Sequence, residues 1–115
     1  DSLAYRIDSP DGSIVFTGDT EPCDTVKELA KDADLMFCMC WDDQERMESM
    51  EEHKGQCGTK DAAQLAQDAG VKKLALVHIG PNLSTSGAFE KGVGDAKRIY
   101  DGDLIFTDEL MFIDI

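Results

Sequence analysis

The chain has 115 residues, enough for one domain with a core of its own. Asp and Glu number 24 against 11 Lys and Arg, and a formal charge of −13 repels phosphate backbones, which argues against unassisted nucleic-acid binding. No run approaches the roughly 18 apolar residues of a membrane span or resembles a signal segment, and the four cysteines lack the spacing of a small secreted disulfide scaffold. A soluble cytoplasmic protein with reduced thiols is the expectation. The first residue is Asp1 rather than Met, so the chain reads as part of a longer polypeptide or a processed product.

Residues 3–8 and 14–17 read as a hairpin around Ser9-Pro10-Asp11-Gly12. Pro presets φ and Gly accepts positive φ, which is turn chemistry with a mechanism. A helix follows Asp19: Thr25 and Glu28 fit a capping box, and Val26, Leu29, Ala30 and Ala33 repeat at helical spacing. Residues 35–41 are an unbroken apolar run of strand length, the pattern of an interior strand buried on both faces. Residues 42–53 are the most polar stretch, a solvated helix or flap with Met47 and Met50 as its apolar points, and a loop follows over 54–58.

Thr59 is placed to cap the next helix, which carries Ala62, Leu65, Ala66 and Ala69 and ends at Gly70. Residues 71–79 form another buried strand, and 81–86 a loop. Phe89, Val93, Ala96 and Tyr100 mark a last helix ending at Gly102, with Gly92 and Gly94 expected to make it irregular. Strand candidates at 104–106 and 110–115 close the chain. The order ββ-α-β-α-α-β-α-ββ specifies an α/β layer structure with a mixed sheet.

Asp19 stands where Gly18 turns the chain out of the 14–17 strand, and His78 closes the 74–77 run. Open α/β sheets place their ligand sites at such strand ends. Alone, Gly18-Asp19-Thr20 fits a helix or turn cap better than a ligand, and a lone His at a core edge is more often a hydrogen-bonded core residue. The pairing of the two on strand ends favours a shared metal ion. A phospho-acceptor Asp in a receiver-like domain is the competing bottom-up reading, opposed by the opening antiparallel hairpin. Cys38 and Cys40 fall on one face of a strand, and with Cys57 and His53 they could make a Cys3His zinc or redox site. Small core hydrophobes are the commoner fate of such cysteines. Met36, Met39, Met47, Met50 and Trp41 read as packing or flap residues.

The stretches 3–7, 14–20, 33–36, 59–63 and 71–78, in that order, resemble the C-terminal half of a metallo-β-lactamase-fold hydrolase. The branch is that of tRNase Z and the phosphonate-pathway cyclic phosphodiesterase. The resemblance implies that 1–115 is the C-terminal half of an αββα sandwich with a mixed sheet. It further implies that Asp19 bridges two divalent metal ions and that His78 is a terminal ligand of one. Zinc is the first expectation, with manganese or iron as alternatives.

The family's His-x-His-x-Asp-His motif and its next ligand His are absent, and His53 matches no ligand position. The isolated chain is therefore expected to be inactive and to need an N-terminal half of the same fold as its partner. Where the tRNase Z branch has a His-Glu pair, this chain has Cys38-Met39. Where that branch has a His-Ser-Thr turn, this chain has Cys57-Gly58-Thr59, which leaves Cys57 as the candidate catalytic residue there. The implied activity is metal-dependent hydrolysis of a phosphodiester or related ester. The charge and the lost His favour a small-molecule substrate over nucleic acid. A homo-oligomer is allowed, and a non-catalytic binding or structural member of the fold is the alternative.

Overall fold

The turn at Pro10 and Asp11 folds the first two apolar runs together. β1 (Tyr5–Ser9) and β2 (Gly12–Phe16) pair antiparallel, with Tyr5 opposite Phe16 and Ser9 opposite Gly12. The computed structural model, which describes residues 3–42, 44–49, 56–81, 83, 85–107 and 113, continues with α1 (Asp24–Leu29), β3 (Leu35–Met39), α2 (Gln44–Ser49) and α3 (Thr59–Ala69). Then come β4 (Lys73–Val77), α4 (Ser86–Ile99) and β5 (Asp103–Phe106). The strands lie in the order β1-β2-β3-β4-β5, and β2 through β5 run parallel. This is the α/β arrangement with a mixed sheet that the pattern specifies. Of the closing strand expected at 110–115, all but Ile113 lies outside the described residues. Among the described residues, no helix is long and apolar enough to cross a membrane.

Register sorts the side chains into two faces. Val15, Met36, Leu74 and Leu104 line up across β2 to β5, with Cys38 opposite Leu76 in β3 and β4. This face packs in one core with Val26 and Ala30 at α1 and with Ala62, Leu65, Ala66 and Ala69 of α3. Each fully buried Val, Leu or Met contributes roughly 1.5–3 kcal/mol, against about 1 kcal/mol for a helix cap. Packing therefore decides the helices, and α1 forms with no side-chain cap.

On the opposite face, one row runs Tyr5, Phe16, Phe37, Ala75, Ile105, and the next begins with Ile7 and Ile14. Phe16 stacks on Phe37 with centroids 5.0 Å apart. Yet Tyr5, Ile7 and Phe16 are 59%, 54% and 40% exposed, so part of an apolar face meets water.

Several local expectations give way to tertiary contacts. The N-cap of α1 is Cys23, not Thr25. Thr59 is the first residue of α3 rather than its cap: Gly58 holds the cap position, and the Asp61 carboxylate accepts the Gly58 N–H at 3.2 Å. The Thr59 N–H instead donates to the Asp42 carbonyl, and its buried hydroxyl finds no partner among the described residues. Met47 is fully buried rather than a flap residue. A Cβ on Gly58 would come within 2.8 Å of the Met47 sulfur, which explains the small residue at that cap. α4 runs unbroken through Gly92 and Gly94 and is capped at Tyr100, short of Gly102. Gly92 is where the helix passes close to Leu83 and Thr59, whose side-chain atoms would lie 2.9 and 3.0 Å from a Cβ.

Asp34 ties the hairpin to the start of β4. Its carboxylate accepts from Lys72 Nζ at 2.9 Å and from the Ser13 N–H at 2.8 Å. The Lys72 hydrogen bond first, then the Ser13 N–H, holds this carboxyl below its ordinary value. A depressed carboxyl contributes stability that is present above the unfolded value of about 3.9 and is lost as pH falls through the lower folded one. Urea midpoints of the parent chain and Asp34→Asn should therefore differ at neutral pH and converge in strong acid; a gap that does not change with pH would contradict this.

Candidate metal site

Because β2, β3 and β4 are parallel neighbours, their C-terminal ends share one edge of the sheet. Asp19 lies three residues beyond β2 and His78 directly follows β4. With β3 between them, the two strand ends lie about 10 Å apart at the usual strand spacing. Two left-handed residues close that gap. Gly18 has φ +64°, and a Cβ there would stand 2.8 Å from the Leu3 carbonyl oxygen, so only glycine fits. His78 has φ +54°, a conformation that side chains with a β-carbon avoid.

The outcome is a direct contact. Asp19 Oδ1 lies 2.8 Å from His78 Nδ1. The hydroxyl of buried Thr17 braces the Asp19 side, donating to the Gly18 carbonyl at 2.9 Å and accepting the Met39 N–H at 3.4 Å. On the other side, the Cys40 N–H donates to the Val77 carbonyl at 2.8 Å. Both paired side chains face solvent, 65% exposed for Asp19 and 49% for His78. An exposed ion pair is worth about 0–1 kcal/mol, whereas a residue held in a sparsely populated backbone region costs on the order of 1–3 kcal/mol. The ion pair by itself therefore does not account for the His78 conformation.

A carboxylate and an imidazole are ordinary donors for a divalent metal. With metal–ligand bonds of about 2.0–2.2 Å, two donors on one ion sit roughly 3 Å apart, close to the spacing seen here. The pair thus fits a metal ion as two of its ligands. Among the described residues, no group of three or more His, Cys, Asp and Glu side chains could hold one.

The cysteines do not join it. Cys38, Cys40 and Cys57 are all fully buried, and Cys23 is exposed. A hydrogen bond to Cys38, then burial, pushes the Cys57 thiol up; burial, then neighbouring Cys38, pushes up Cys40. Cys57, the candidate catalytic residue, therefore sits in the core as a neutral thiol, behind Trp41, whose N–H donates to the Cys57 carbonyl at 3.0 Å. His53, the fourth member of the Cys3His possibility, lies outside the described residues. Trp41, which the sequence reads as a packing or flap residue, meets the His78 ring edge-on, with centroids 5.7 Å apart and planes at 75°. Its signal was its place just past β3, between the strand ends that carry Asp19 and His78.

Residues 1–79 match the family described as Beta-lactamase superfamily domain. The chain belongs to this beta-lactamase superfamily. Within that superfamily, it is 35% identical over 106 residues to a ribonuclease Z of Methanosarcina acetivorans, an alignment covering 92% of this chain and 33% of that one. Two solved structures share the fold. The metallo-β-lactamase fold protein YhfI from Bacillus subtilis has a TM-score of 0.76 at 23% identity, covering 91% of this chain and 41% of its own. The short form of human tRNase Z has a TM-score of 0.71 at 19% identity, covering 97% and 36%.

The chain spans about a third of the length of the curated relatives it matches. Those relatives are named ribonucleases, which overturns the expectation of a small-molecule substrate in preference to nucleic acid. The charge argument fails for a physical reason. Net charge averages over a whole surface, while a phosphodiester is bound at one local site.

The burial pattern fixes the thiol chemistry. At neutral pH a thiol-specific alkylating reagent should label Cys23 rapidly and the three buried cysteines only after denaturation. Rapid labelling of native Cys38, Cys40 or Cys57 would contradict this packing.

Proposed function

We propose that this chain is the C-terminal half of a metallo-β-lactamase domain that hydrolyses RNA phosphodiester bonds in the cytoplasm with two divalent metal ions. The observation that carries the reading is the Asp19–His78 contact of 2.8 Å at the shared edge of three parallel strands. The exposed position of the pair and the open apolar face of Tyr5, Ile7 and Phe16 support a second half that covers this face and completes the site. The ribonuclease names of the curated relatives support RNA as the substrate class.

Asp19 has two carboxylate oxygens and can serve two ions; His78 offers one imidazole nitrogen to one of them. Asp19 and His78 would hold zinc, or manganese or iron, with the remaining donors supplied by the other half. When bound, such ions polarise a phosphoryl oxygen and lower the pKa of water. The chain's own residues prepare for this in three ways. Gly18 and the left-handed His78 aim both donors at one point. Thr17 fixes the Asp19 turn through Gly18 and β3. Third, the Asp19–His78 contact already brings a carboxylate oxygen and a ring nitrogen within 2.8 Å of each other.

A specific observation favours a second reading. The position of the tRNase Z branch's turn histidine holds Cys57, a buried thiol, which suits a non-catalytic member that keeps the scaffold for binding. Metal analysis of the complete protein separates the two. The hydrolase should carry two metal ions per domain, and a metal-free protein would support the scaffold. In the complete protein, Asp19→Ala and His78→Ala should lose metal and at least about a hundredfold in RNA hydrolysis, since metal catalysis supplies several kcal/mol. Variants that keep both would sink the assignment.

A further inference from the structure

His78 is held in the left-handed region by something other than its exposed pairing with Asp19. Such a residue persists only where its surroundings over-determine it. Two of the restraints come from Trp41. Its carbonyl accepts the Gly80 N–H at 2.8 Å, and its indole meets the imidazole edge-on at 5.7 Å. The fit at Gly80 is close. A Cβ there would collide with the Trp41 carbonyl oxygen and come within 3.1 Å of indole Cδ2.

Trp41 is itself anchored from behind. Its N–H donates to the Cys57 carbonyl at 3.0 Å, at the entrance to α3, and the preceding Cys40 N–H is bonded to the Val77 carbonyl at 2.8 Å. The residue thus joins the end of β3 and the approach to α3 to the turn that carries His78. Edge-to-face aromatic contacts have a preferred geometry, so the indole restrains the ring's direction as well as its position.

We propose that Trp41 is a positioning residue: it clamps the 78–80 turn in its left-handed conformation and thereby aims the His78 imidazole at Asp19. Its purpose rests on the metal-site reading above; its geometry does not, and the test separates the two. In NMR of the isotopically labelled, metal-free complete protein, the amide–Hα coupling and Cα shift of His78 should report a left-handed residue. Trp41→Phe, which keeps an aromatic edge, should retain that signature. Trp41→Leu should lose it while amide resonances of β2, β3 and β4 stay in place. Gly80→Ala, which keeps the tryptophan but forces the turn away from the Trp41 carbonyl and indole, should also lose it, and decides the matter if Trp41→Leu does not fold.

A folded Trp41→Leu or Gly80→Ala chain with His78 still left-handed would overturn the proposal. So would the absence of any Overhauser contact between the two rings in the parent chain. In the assembled metal centre, cobalt(II) should quench the emission of Trp41, the chain's single tryptophan. Trp41→Leu, followed by visible absorption, should weaken cobalt(II) binding by about 10- to 100-fold, the usual cost of losing a group that orients a ligand. A parent protein that binds no cobalt(II) would count against the metal site alone, and the NMR result would still decide the clamp.

Discussion

Parallel pairing of β2, β3 and β4 brings three strand ends to one edge, with β3 standing between the two that carry ionisable side chains. No chemistry is possible across that gap unless the chain turns inward on both sides. The inward turns come from Gly18 and His78, both left-handed, one at no cost and one at some cost. The residues behind them serve those turns: Thr17 through the Gly18 carbonyl, Trp41 through Gly80, and Cys40 through Val77. The strained residue is the one with a side chain to deliver.

Burial follows the same division. The helix-covered face of the sheet is closed by Val15, Met36, Cys38, Leu74 and Leu76 against α1 and α3, and there the thiols are inert. The other face keeps an apolar row yet leaves Tyr5, Ile7 and Phe16 in contact with water. An amphipathic sheet would show polar side chains on an exposed face. An apolar open face beside an exposed Asp–His pair is the observation on which the proposed second half rests.

Much of this was legible in the residues themselves. Pro10-Asp11-Gly12 specified the hairpin, the apolar run from 35 specified a buried strand, and Gly70 ended α3 with φ +75°. Asp19 and His78 were legible because each closes an apolar run, and strand ends in parallel sheets collect on one edge. What local reading missed depends on distant partners. Thr59 fits a cap by propensity, but Asp42 and Asp61 satisfy that helix start instead. Met47, left open between packing and flap, is packing because α2 turns it into the core. Gly92 lowers helix propensity, but α4 needs a small residue against Leu83 and Thr59. Trp41 looked like packing because its role is a contact with a residue 37 positions away, and no periodicity encodes that.

The central claim is that Asp19 and His78 are two ligands of one metal centre rather than an isolated surface ion pair. Anomalous diffraction at the zinc edge, from crystals of the complete protein grown with zinc, tests it most directly. The account predicts an anomalous peak within about 2.0–2.2 Å of an Asp19 oxygen and of a His78 ring nitrogen, with the direct Asp19–His78 hydrogen bond gone. A fully metallated protein whose zinc lies elsewhere, with Asp19 still bonded to His78, would contradict it.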